Sequence, residues 1–146
     1  INTLLGSGLS SRLYRNLREA DGLAYQLGTS YSPRMLGGTF MGYIGTNPST
    51  LEYSRKKIMD EINKLKVEFV SDTELQDAKD RLKGGFIIAL ETNSEKASNT
   101  GIFEGYGFGY DFLSSYTKMI DEVTASDIVK TANKYFTSNY VQSDVR

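Results

Sequence analysis

The sequence predicts an α+β domain in which a small antiparallel-containing sheet is covered on one face by helices. Two runs, residues 23–31 and 39–46, alternate with the period of two that a half-buried strand requires. Most of the remaining chain repeats apolar residues at helical spacing, with capping signatures at several helix starts. With 146 residues, 39% apolar and 24% charged, the chain has the size and composition of one ordinary folded domain, residues 1–146.

Leu5, Leu9, Leu13 and Leu17 recur every four residues and predict one helix from about residue 2 to about residue 19. Gly6 and Gly8 inside it would each cost roughly 1 kcal/mol against alanine, which points to close packing against a neighbour. Asp21-Gly22 ends the helix, with Gly22 suited to a left-handed cap. In the first strand Tyr25, Leu27, Thr29 and Tyr31 share one face, and Ala24, Gln26, Gly28 and Ser30 the other. Ser32 to Gly38, with a proline and a glycine pair, reads as a long hairpin loop. In the second strand Phe40, Gly42 and Ile44 oppose Met41, Tyr43 and Gly45.

About five helices follow. Ser49-x-x-Glu52 and Ser71-x-x-Glu74 read as capping boxes, as do Thr92-x-x-Glu95 and Thr124-x-x-Asp127. The expected buried faces are Leu51, Ile58, Ile62 and Leu65; then Leu75, Ala78, Leu82, Phe86 and Ala89. Leu113, Tyr116, Ile120 and Val123 follow, and finally Ile128, Ala132, Tyr135 and Phe136. The tail from Asn139 to Arg146 reads as a last strand. Two or three strands bury so many helix faces poorly, so the sheet calls for strands before Ile1. Ile1 enters a helical pattern without an initiator methionine or a signal-peptide layout, and the chain reads as a fragment lacking its opening strands. An exposed edge on such a fragment predicts edge-to-edge dimerisation.

Composition narrows the chemistry. The net charge is −1 and the longest basic run is Arg55-Lys56-Lys57, too little for a surface that tracks phosphates, so nucleic acid is disfavoured as a partner. No apolar run reaches the roughly 20 residues of a membrane helix. With neither cysteine nor histidine, the chain cannot build an ordinary zinc site, a Ser-His-Asp triad or a Cys-His pair. The pairs Asp60-Glu61 and Asp121-Glu122 are adjacent in sequence, diverge on a helix surface and are expected to be solvated. Gly105-x-Gly107-x-Gly109 follows a helix where a phosphate loop would follow a strand, and reads as a packed helix end and turn. Arg18 and Tyr25 flank the Asp-Gly turn. Taken alone they describe a last-turn arginine favoured by the helix dipole and a half-buried strand tyrosine.

Three segments change that weighing: Leu5-Gly6-Ser7-Gly8-Leu9-Ser10-Ser11-Arg12-Leu13, Leu17-Arg18-Glu19 and Gly22-Leu23-Ala24-Tyr25. Together they resemble the pitrilysin/insulinase family of zinc metallopeptidases, the inverzincins, in its carboxy-terminal non-catalytic domain. Gly38-Thr39-Phe40 and Thr73-Glu74-Leu75-x-x-Ala78-Lys79 are similar to the family as well. The resemblance implies a processing-peptidase-like (metallohydrolase) fold and a role as the substrate-binding half of a clamshell peptidase. It implies a partner, the catalytic domain or subunit, carrying the H-x-x-E-H zinc motif; zinc is expected there and not in this chain. It implies that Arg18 and Tyr25 reach across the chamber to the peptide substrate and its transition state, while Glu19 and Arg12 are structural. The alternatives are an inactive core subunit of the same fold and a peptide-binding module without a peptidase role.

Overall fold

The computed structural model describes residues 1–145. Helix α1 (Asn2–Leu5) leads through a bend into a second helical stretch, whose main part, Tyr14–Ala20, is π-helical. Strands β1 (Ala24–Arg34) and β2 (Gly37–Thr46) form one antiparallel hairpin. A 3-10 turn, Pro48–Thr50, precedes five helices: α2 (Leu51–Val67), α3 (Asp72–Ile88), α4 (Asn93–Gly105), α5 (Phe112–Glu122) and α6 (Ala125–Tyr135). The α+β class, with a two-stranded antiparallel sheet and helices packed on it, is the one the sequence predicts.

The first helix is two helices. Gly6 leaves the helical conformation with φ −149° and ψ 11°, and Gly8 has φ +90°, a left-handed value that glycine tolerates. Ser11 restarts the helix by donating its hydroxyl to the Gly8 carbonyl at 2.7 Å. This break turns Leu9 out to 70% exposure, whereas Leu5, Leu13 and Leu17 are fully buried. Each buried leucine contributes about 1.5–3 kcal/mol. Gly6 does mark close packing: its carbonyl accepts from the Thr29 amide at 3.1 Å, and Thr29 Oγ1 donates to Asn2 Oδ1 at 2.8 Å. The end of α1 therefore sits against β1 on the edge that β2 does not occupy.

The hairpin loop is shorter than expected. Arg34 pairs with Gly37, leaving only Met35-Leu36 outside the ladder, and Gly37 closes the turn with φ +125°. Pro33 is tolerated in β1 because its ring stands on an edge strand. Leu27, Phe40 and Ile44 face the helices and pack against the core, with Phe40 against Phe136 at 4.9 Å between ring centroids. A bulge between Ala24 and Gln26 breaks strict alternation at Tyr25, which is exposed and does not share the buried face of Leu27.

Two of the four expected capping boxes are complete, at Thr92/Glu95 and Thr124/Asp127. Ser71 caps α3 by accepting from the Glu74 amide, but the Glu74 side chain is taken by Arg12. Ser49 is not a cap: Asn47 caps the 3-10 turn instead, and Glu52 pairs with Arg55. Ala89 and Tyr135 are exposed rather than buried. Gly107 and Gly109, both at positive φ, bring Phe108 and Phe112 to 4.8 Å of one another between α4 and α5. Residues 139–145 pair with no strand, so the expected last strand is absent from them; Arg146 lies outside the described residues.

The Gly6 contact yields a signed stability prediction. A Cβ on Gly6 would meet the Thr29 backbone nitrogen at 2.5 Å, whereas one on Gly85 in α3 would meet nothing within 4 Å. Thermal denaturation should show Gly6→Ala destabilised by about 1–3 kcal/mol. Gly85→Ala should be neutral or stabilised by up to about 1 kcal/mol.

Candidate functional site

The corner between the π-helical segment and β1 is built by a backbone reversal. Gly22 adopts φ +63°, and the Leu23 amide donates to the Leu17 carbonyl at 2.8 Å, six residues back. Nothing stands within 4 Å of a Cβ built on Gly22, so it is the left-handed backbone and not space that favours glycine there. Asp21 beside it pairs with Lys57 of α2 at 2.9 Å. π-helical turns are rare and frequent at functional sites; this one carries Arg18.

Two further anchors hold this segment. Arg12 donates from Nε and Nη2 to the two Glu74 oxygens, at 2.6 and 2.8 Å, in a fork that joins the start of the segment to α3. Asn16 donates to Glu61 Oε1 at 3.0 Å, and Lys64 donates to the same oxygen at 2.7 Å. Glu61 is therefore buried and paired, contrary to the solvated position its sequence neighbourhood suggests. Asp60 is exposed and pairs with Lys56.

Arg18 is half-buried and Tyr25 is 81% exposed. The Arg18 guanidinium carbon lies 5.5 Å from the Tyr25 ring centroid, so the corner brings the two residues together. It also lies 4.8 Å from the ring of Tyr14, which the sequence reading did not single out. The signal was available, since Tyr14 precedes Arg18 by four residues on one helical face. Among the described residues Arg18 has no carboxylate partner. Its N–H donors, with the Tyr25 hydroxyl, make a surface that can donate hydrogen bonds to a carbonyl oxygen or an anion. Glu19 is exposed and also unpaired among these residues, whereas Arg12 has the structural pairing expected of it.

A groove of about 680 Å³ lies between the α1 bend and α3 and shares no residue with this corner. It is open and largely apolar, and its arginine, Arg81, is tied to the Ser7 and Thr3 carbonyls. Among the described residues no group of three or more histidine, cysteine, aspartate or glutamate side chains is placed to hold a metal ion. Among the described residues no helix is long and apolar enough to cross a membrane. The residues present do not fit a zinc site.

The class of this domain is given by comparison with known proteins. The family model for the peptidase M16 inactive domain matches residues 1–82. A protein named as an uncharacterized zinc protease of Rickettsia felis is 35% identical over 137 residues, covering 92% of this chain and 32% of that protein. One with the same description from Bacillus subtilis is 28% identical over 140 residues, covering 96% and 34%. Among solved structures, a protease from Helicobacter pylori superposes with TM-score 0.77 at 28% identity, over 93% of this chain and 33% of that one. A peptidase M16 inactive domain from Pseudomonas fluorescens gives TM-score 0.81 at 25% identity, over 91% and 32%. The chain belongs to the peptidase M16 family and is an inactive domain of it. It spans about a third of the length of the curated relatives it matches.

The anchoring fork has a pH signature. Its hydrogen bond to Arg12 holds the Glu74 carboxyl below the ordinary glutamate range, against the opposing effect of burial. A carboxylate whose folded-state pKa is depressed contributes stability above its unfolded pKa and loses it as pH falls through the folded value. Glu74→Gln should therefore cost about 1.5–3 kcal/mol at neutral pH. The gap in melting temperature from wild type should close as the pH is lowered below the ordinary glutamate range; a gap independent of pH would contradict the assignment.

Proposed function

We propose that this chain is the non-catalytic, substrate-binding half of a zinc metallopeptidase, and that Arg18 and Tyr25 bind peptide carbonyls and the transition state across a clamshell. The observation that carries this reading is the corner itself: an arginine that has no carboxylate partner among the described residues is held beside an exposed tyrosine by three anchors to α2 and α3. The partner is a catalytic domain or subunit that holds the zinc, and the ligand is an extended peptide. Relatives named as zinc proteases support the reading.

Hydrolysis of a peptide bond builds negative charge on the carbonyl oxygen. A guanidinium with fixed donors and a phenol O–H stabilise that charge more than the neutral carbonyl they first bind, and this difference lowers the barrier. A scaffold subunit would need neither group. Each donor removed from such a site costs about 2.7–4 kcal/mol of barrier when the geometry matches.

Arg18→Ala and Tyr25→Phe, introduced into the full-length protein with its catalytic domain or subunit, should leave the circular dichroism spectrum unchanged and cut peptide turnover by about tenfold or more. Wild-type turnover in both variants would overturn the proposal.

A further inference from the structure

Arg18 touches two rings, and only one of them belongs to the function proposed above. Tyr14 is half-buried on the same π-helical segment, with its ring centroid 4.8 Å from the guanidinium carbon, closer than that of Tyr25 at 5.5 Å. The segment fills the core with Leu13 and Leu17, not with Tyr14. Both distances are within the range of about 6 Å in which the negative face of an aromatic ring attracts a cation.

Arginine side chains have many rotamers, and a carboxylate partner is the usual means of fixing one. Arg12 shows it, locked by both oxygens of Glu74. A carboxylate would also occupy the N–H donors that a substrate needs. An aromatic face restrains the guanidinium while leaving those donors free, and among the described residues Arg18 makes no ion pair.

We infer that Tyr14 is a positioning residue for Arg18, its ring holding the guanidinium beside Tyr25 so that the N–H donors stay open to a peptide carbonyl. The inference rests on the proposed function for its consequence in turnover, but its geometric half stands independently of activity. Tyr14 and Arg18 are four residues apart on the helical segment Tyr14–Ala20, a spacing that puts both side chains on one face.

A double-mutant cycle in the full-length protein, assayed on a peptide substrate, tests it. Tyr14→Leu should lower kcat/KM roughly 3- to 30-fold, and Tyr14→Phe, which keeps the ring, should restore most of it. In an Arg18→Ala background Tyr14→Leu should add less than about twofold, since the group it positions is gone. An unchanged kcat/KM in Tyr14→Leu, or the same loss with and without Arg18, would overturn the inference. The Arg18 side-chain Nε–Hε resonance supplies the second readout. It should be displaced by ring current in wild type and in Tyr14→Phe, and relax in Tyr14→Leu; no difference among the three would overturn the geometry. If Arg18→Ala alone keeps wild-type turnover, the proposed function fails while this resonance still decides the positioning. Tyr14→Met serves for the same comparisons should Tyr14→Leu not fold.

Discussion

The reversal of the chain at Gly22 is the constraint on which the corner depends. A left-handed residue there lets the π-helical segment reach β1 through only Asp21-Gly22-Leu23, and the Leu23-to-Leu17 hydrogen bond closes the turn. Arg18 and Tyr25 lie seven residues apart in sequence, and this turn brings the guanidinium over the tyrosine ring. The bulge at Tyr25 completes the effect by taking that residue out of the alternation that buries Leu27. Glycine tolerates the left-handed conformation at position 22, and the pairing of Asp21 with Lys57 ties the turn to α2.

Three arginines on one short segment have three different fates. Arg12 is committed to a bidentate pair with Glu74, and Arg15 reaches the same carboxylate only at 3.7 Å. Arg18 is left to aromatic neighbours. The first fixes the segment against α3, while Asn16 and Glu61 fix it against α2. Under the proposed function the division meets a physical requirement: a group that binds substrate cannot spend its donors on the protein, yet must not be loose. Rigid elements around a restrained cation that makes no ion pair among the described residues satisfy both demands.

Much of this was legible in the sequence because it rests on local rules. The period-two runs placed both strands, the glycine after Asp21 placed the turn, and two Thr-x-x-acid signatures placed complete capping boxes. What sequence could not show depends on distant partners. The helix broke between Gly6 and Ser11 because Gly6 had to approach Thr29, a contact 23 residues away. Glu74 left its cap for Arg12, and Glu61 was drawn inward by Asn16. Residues 139–145, which read as a last strand, pair with neither strand of the hairpin. The site pair Arg18 and Tyr25 was reached through family resemblance, whereas the four-residue spacing of Tyr14 and Arg18 gained meaning once the ring was seen over the guanidinium.

The central claim, that this corner faces the peptide, is tested most directly by a crystal structure of the full-length protein with an uncleavable peptide bound. The account predicts an Arg18 guanidinium N–H or the Tyr25 hydroxyl within about 2.7–3.2 Å of a peptide carbonyl oxygen. A peptide bound elsewhere, with both side chains turned to outer solvent, would contradict it.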